Sequence, residues 1–199
     1  MVKGHFVYKD LIISQHPNVG LPFNKLISEV NPKRILEIGT ANGGLTLLLR
    51  DLLNSNGLFD STIRTYDILE QTNLKSKNVD GIEILTESPF NYQYDGLNDP
   101  ESIKKYIQQE GLTIVLCDGG SKKNEFKLLS NFLKNGDIIM AHDYVPNEEI
   151  FERSVKNKIW DWMEIQLSDV EQSCYDNNLE SYMSEEFLDV VWLCKRKTK

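Results

Sequence analysis

Two short stretches carry side chains capable of chemistry. "VLCDGGSKKNEF" ends an apolar run at Asp118 and continues to Lys122, and "IIMAHDYV" ends another at His142 and Asp143. Acids that close neighbouring strands of a parallel sheet converge on one rim, where open α/β folds place their ligands. Carboxylate oxygens suit Mg²⁺, which keeps several waters and takes only one or two carboxylates from the protein. Acids at strand ends also cap helices or hold sugar hydroxyls, and a histidine beside them can be a base or an ordinary hydrogen-bonding group instead of a ligand.

A third stretch, "RILEIGTANGGLTLLLRDLL" (34–53), runs from a strand through glycines into a helix. Gly39, Gly43 and Gly44 let the backbone turn sharply and approach a ligand closely. The dinucleotide fingerprint places glycines at positions one, three and six so that the backbone can meet a pyrophosphate. Here Ala41 holds the third position, and the pattern reads Glu37-x-Gly39-x-x-x-Gly43-Gly44. A plain tight turn is the competing explanation.

Stepping along the chain, strand-like and helix-like segments alternate from residue 31 onward, which predicts crossover units and a mainly parallel sheet. Strands are expected over 34–37, 62–68, 81–85, 112–118 and 137–143. Leu45, Leu48, Leu49 and Leu52 mark the buried face of the helix after the glycines. Asn98-Asp99-Pro100 is a helix start, with a capping side chain ahead of a proline. Phe126, Leu129 and Leu133 line the following helix, which stops at Asn135-Gly136. A helix over about 147–157 comes next, and 160–167 and 187–195 read as two closing strands. Between them, 168–186 holds six acids and no Lys or Arg. It reads as an acidic flap or insertion, or as a solvated loop.

The 199 residues suffice for one domain, expected over 1–199. Residues 1–30 should form a helical lead-in, with Pro22 and Pro32 bracketing a short amphipathic helix. The opening "MVKGHFVYKDLIIS" is broken by charge and lacks a cleavage site, so it does not read as a signal peptide. Three widely spaced cysteines fit neither a disulfide framework nor a zinc knuckle, and a cytoplasmic location is the expectation. A net charge of −8 argues against a nucleic-acid surface, and no apolar run is long enough for a membrane span.

At the Glu37–Gly44 turn the sequence resembles the class I S-adenosylmethionine-dependent methyltransferases, and the later landmarks fall in order over about 20–195. The resemblance implies a Rossmann-like, doubly wound, mostly parallel sheet of seven strands with an antiparallel last strand. It also implies that Glu37 orients the methionine amino group, directly or through water. Gly39, Thr40, Gly43 and Gly44 would then lie against the amino-acid end and ribose. Asp67, with Ile68 beside it, would accept the ribose hydroxyls, and Ser88 would lie near the adenine. A thioether-linked nucleoside needs no pyrophosphate cradle, so Ala41 is tolerable.

The second half resembles the divalent-metal-dependent O-methyltransferases of the catechol, cephalosporin-hydroxylase-like and macrolide or rhamnosyl type. In that branch an acid ending strand four and a pair ending strand five bind the metal, roles implied for Asp118, His142 and Asp143. His142 stands where an acid is usual, which favours Mn²⁺ or a softer ion over Mg²⁺. The metal would lower the pKa of an acceptor hydroxyl. Relatives place a His or Lys base three residues after the strand-four acid, a slot filled here by Ser121. Lys122 or His142 would have to serve as base, although two solvated lysines before a helix are the plainer reading of Lys122-Lys123.

The implied partner is a small-molecule acceptor, a sugar or polyketide-like hydroxyl, with no nucleic acid and no membrane. Two rivals stand beside this reading. One is a domain that binds the cofactor without turnover, consistent with the missing base. The other is an NAD-dependent oxidoreductase, disfavoured by Ala41 and by the lack of a later Tyr-x-x-x-Lys.

Overall fold

The computed structural model describes residues 4–199, so the first three residues of the N-terminal lead-in lie outside it. Strands β1 (Phe6–Tyr8) and β2 (Leu11–Ile13) form an antiparallel hairpin, followed by helix α1 (Gly20–Val30). The alternating region comprises β3 (Arg34–Ile38), α2 (Gly44–Ser55), β4 (Thr62–Asp67), α3 (Thr72–Ser76), β5 (Ile82–Thr86), α4 (Pro100–Gln108), β6 (Thr113–Cys117), α5 (Lys122–Leu129) and β7 (Ile138–Ala141). After it come α6 (Glu148–Ile150), a π-helical turn over 151–155, α7 (Leu167–Asp176), β8 (Leu179–Ser181), α8 (Ser184–Leu188) and β9 (Leu193–Lys197).

Seven strands form one sheet in the order β5-β4-β3-β6-β7-β9-β8. Strands β3 to β7 are parallel, and the last strand, β9, runs antiparallel to both of its neighbours. Parallel strands covered on both faces are mostly apolar runs, and β3, β6 and β7 are buried throughout, with Arg34, Glu37 and Thr113 as the buried polar exceptions. Alternate residues serve opposite faces. Ile35, Ile114 and Ile138 join Phe23 and Ile27 of α1 and Leu49 and Leu53 of α2. Leu36, Val115 and Ile139 join Ile103 and Ile107 of α4 and Phe126 and Leu129 of α5. The expected cap of α4 is present, with the Asp99 carboxylate accepting from the Ser102 N–H at 3.0 Å.

The chain runs outward from β3 through β4 to β5 and then returns to lay β6 against the other side of β3. The strand order reverses between β3 and β6, so their carboxyl ends open the crevice where ligands of such sheets bind.

Three expectations are corrected. The N-terminal lead-in is not wholly helical, because residues 6–13 form the hairpin and the helix begins only at Gly20. Residues 160–167 are not a strand. A single bridge joins Ile165 to Tyr144, since the Trp160 indole turns inward to bond Asp143. The missing strand comes instead from the expected flap, where 168–186 holds most of α7, all of β8 and the start of α8. The Asp169 carboxylate caps α7 by accepting from the Gln166 N–H at 2.9 Å, and Val170 and Leu179 anchor the segment in the core.

The hairpin rests on the start of α2. A Cβ on Gly44 would lie 2.5 Å from the Ile12 carbonyl oxygen, so the close approach requires glycine. Gly44→Ala therefore tests the docking by its sign. Alanine favours the helix by about 1 kcal/mol, whereas overlap with a fixed backbone costs about 1–3 kcal/mol. The midpoint of urea unfolding should fall. A rise would mean that the hairpin does not pack there.

Candidate active site

The crevice at the switch point is a cleft of about 230 Å³ lined by Ile38, Gly39, Ala41, Tyr66, Asp67, Ile68, the 87–90 turn, Tyr94 and Asp118 to Gly120. Gly39 sets its floor. Its φ is +92°, and a Cβ there would lie 2.2 Å from the Asp118 carbonyl oxygen, so the turns after β3 and β6 touch backbone to backbone. Asp67 fixes the far wall, accepting from the Ala41 N–H at 2.8 Å on one oxygen and from the Leu69 N–H at 2.9 Å on the other. A carboxylate offers about four acceptor positions, so both oxygens can still receive a hydroxyl. The Ser88 hydroxyl closes its own turn on Phe90, and the Phe90 and Tyr94 rings stack at 5.5 Å.

Of the residues expected at the cofactor, Gly39, Asp67, Ile68, Ser88 and Asp118 line this cleft. Glu37, Thr40, Gly43 and Gly44 lie behind it. Glu37 is buried, with Oε2 accepting from the Thr46 and Thr65 hydroxyls at 2.6 Å each and Oε1 without a partner among the described residues. Thr40 pairs its hydroxyl with that of Thr65 at 2.6 Å. A Cβ on Gly43 would strike Leu74 of α3. Burial pushes the Glu37 carboxyl up to about 7 against the pull of its two hydroxyl partners. Burial likewise pushes Glu125 up to about 7, although its carboxylate accepts from the N–H groups of Ser121 and Gly119 and so braces the loop after β6.

Beyond Asp118 the cleft meets a charged cluster. Asp118, His142 and Asp143 each offer one ligand atom, and these atoms lie within 4.8 Å of one another. His142 Nδ1 is 3.1 Å from Asp118 Oδ1 and 3.4 Å from Asp143 Oδ1. Its ring lies 5.2 Å from Trp160 and 5.0 Å from Trp192, and its buried Nε2 has no partner among the described residues. Asp143 adopts a left-handed φ of +56° and accepts from Trp160 Nε1 at 2.5 Å.

Lys122 is buried, unlike the exposed pair read from the sequence. Its ammonium lies 3.1 Å from Asp143, 3.7 Å from Asp118 and 2.9 Å from Glu164. Burial opposes its charge, but the three carboxylates outweigh that and hold its pKa above the ordinary lysine value. The three carboxylates thus favour the charged form of Lys122. One lysine against three carboxylates leaves the cluster short of positive charge. Two carboxylate oxygens and an imidazole nitrogen converging there form a donor set that suits a divalent cation, Mn²⁺ better than Mg²⁺.

Sequence reasoning missed Gln15, Glu125 and Glu164 here, together with Trp192 against His142. None has a local signal. Gln15, for example, reaches Asp118 across 103 positions.

Glu37 makes the free protein's stability depend on pH. The unfolded carboxyl ionises from about 4.5 and the folded one only from about 7, so the stabilisation is complete below 4.5 and lost as pH rises through 7. A displacement of that size corresponds to roughly 3 kcal/mol. Urea titrations from pH 5 to 8 should show stability falling in the wild type and falling distinctly less in Glu37→Gln. Identical slopes would remove Glu37 as a source.

No family model matches the chain, and no curated protein matches its sequence. Solved structures do. A CmcI structure without ligand is 15% identical with a TM-score of 0.66, covering 98% of this chain and 76% of its own. A CmcI structure with Mg and SAM is 15% identical with a TM-score of 0.64, covering 96% and 76%. An O-methyltransferase family protein from Burkholderia thailandensis is 8% identical with a TM-score of 0.56, covering 91% and 57%. At these identities the likeness is one of architecture, and the chain has the class I methyltransferase fold.

Proposed function

We propose that this protein is an S-adenosylmethionine-dependent O-methyltransferase acting on a hydroxyl of a small molecule, a sugar or polyketide-like compound, with a divalent cation assisting. One observation carries the reading. A nucleoside-sized cleft at the switch point ends at Asp118, and the same residue opens the Asp118–His142–Asp143 cluster.

In this reading Asp67 receives the ribose hydroxyls while its bonds to Ala41 and Leu69 hold the carboxylate in place. Gly39 and Gly119 line the cleft, and their missing side chains make room for the Asp118 carbonyl in one case and for Glu125 and Ile38 in the other. S-adenosylmethionine supplies the methyl group and leaves as a neutral thioether, so no acid is needed on the leaving side. Alignment then contributes most of the rate. Asp118, His142 and Asp143 would hold the cation, which when bound supplies Lewis acidity to the acceptor hydroxyl. Lys122 adds a second fixed positive charge beside the developing oxyanion. The carboxylates of Asp143 and Glu164 keep Lys122 protonated, so the proton given up by the acceptor hydroxyl on methylation would pass to water.

The nicotinamide alternative fares worse, because Ala41 spends its N–H on Asp67 and the turn offers no pyrophosphate cradle. Calorimetry should detect binding of S-adenosylmethionine and none of NAD, and the reverse would overturn the reading. Asp67→Ala should weaken S-adenosylmethionine by about 1–3 kcal/mol; unchanged affinity removes its assignment. Transfer to a panel of hydroxyl compounds should fall on chelation and recover with Mn²⁺. Asp143→Ala should lose that stimulation with cofactor affinity nearly intact. Chelator-resistant turnover would dismiss the cation, and cofactor binding without turnover on any acceptor would favour a binding domain.

A further inference from the structure

We infer that Gln15, delivered by the N-terminal hairpin, is a positioning residue that sets the orientation of the Asp118 carboxylate. The consequence for catalysis rests on the function proposed above, but the geometry stands apart from it. Gln15 follows β2 and is 3% exposed. A primary amide buried this far from water is costly unless its groups are bonded. Both of its ends are engaged, and the partners dictate which end is which.

The Trp192 indole N–H donates to Gln15 Oε1 at 2.9 Å. Indole nitrogen can only donate, so the amide oxygen must face Trp192 and the amide nitrogen must face the other way. On that side Nε2 donates to Asp118 Oδ2 at 2.6 Å and lies 3.4 Å from His142 Nδ1. Gln15 therefore occupies one Asp118 oxygen and leaves the other, Oδ1, for His142 at 3.1 Å and Lys122 at 3.7 Å. Asp118 belongs to both the cleft and the cluster, so the amide fixes the side chain on which the two halves of the site meet.

The support behind Gln15 is rigid. Ile13 is fully buried in the core under the sheet, and the Tyr8 hydroxyl donates to Asp51 of α2 at 2.7 Å. Trp192 packs edge-on against Phe23 of α1 at 5.5 Å. Partners of this kind, which orient a ligating side chain through its free atom, typically change metal affinity 10- to 100-fold when removed.

The test uses Gln15→Met, close in shape but without the amide, and Trp192→Phe, which keeps a ring against Phe23 while removing the N–H together with part of the indole that packs on His142. Two affinities are measured: Mn²⁺ by electron paramagnetic resonance of the free ion, and S-adenosylmethionine by calorimetry in chelator. Unfolding curves are recorded in parallel. Gln15→Met should weaken Mn²⁺ about 10-fold and S-adenosylmethionine measurably. Trp192→Phe should move both in the same direction by less, and the double variant should be no worse than Gln15→Met. Should Gln15→Met fail to fold, Trp192→Phe decides alone. Folded variants with a lowered melting temperature but wild-type affinities would show a merely structural glutamine and overturn the inference. If the wild type binds S-adenosylmethionine but not Mn²⁺, the cation part of the proposed function fails and Gln15 is judged on cofactor affinity. A wild type that binds neither overturns both.

Discussion

The contact on which the site depends is between two backbones. Gly39 leaves β3 with no side chain, and the Asp118 carbonyl at the end of β6 occupies the space where a Cβ would stand. Parallel strands fix the height at which each chain exits the sheet, so this contact sets where the Asp118 side chain begins. From there its carboxylate reaches the charged cluster while the following glycines line the cleft. Any residue but glycine at position 39 would separate the strand ends and pull the binding crevice from the cluster.

Electrostatics around Asp118 depend on burial. Lys122 would be an unremarkable surface amine in water, but among Asp118, Asp143 and Glu164 it becomes a permanent cation. Buried charges of this sort persist only when each has partners, and here they do. Asp143 is restrained by Trp160, Asp118 by Gln15, and His142 by the carboxylates at Nδ1 and by two indoles packed against its ring. Glu37 and Glu125 serve differently. They brace the turns after β3 and β6 from behind, through threonine hydroxyls in one case and backbone N–H groups in the other.

Much of this was legible in the sequence where one physical demand dominates. Strands buried on both faces had to be apolar runs, so "RILEI", "TIVLC" and "IIMA" announced themselves. Asp67, Asp118, His142 and Asp143 stood out because their types are rare at the ends of such runs. The β1–β2 hairpin was hidden because its strands are three residues long and its turn uses Lys9 and Asp10 at positive φ in place of a glycine pair. Helix α7 was hidden because Val170 is its one buried residue, and the polar remainder reads as loop. The 160–167 segment has a strand's composition, yet Trp160 gives up pairing to reach Asp143. Gln15 had no signature at all, since its meaning comes from partners distant in sequence.

That distance has a consequence for the order of assembly. The Trp192–Gln15 bond joins positions 177 residues apart, almost the full span of the chain. During synthesis Gln15 is made early and must wait for Trp192, and contacts of such separation form slowly. The crevice takes shape once β6 brings Asp118 to Gly120 against the turn after β3. The Asp118 carboxylate acquires its final bearing only after β9 has threaded back between β7 and β8. A nascent chain would thus form its groove before the Asp118 carboxylate is fixed, so the two halves of the site take shape in the order in which β6 and Trp192 are made.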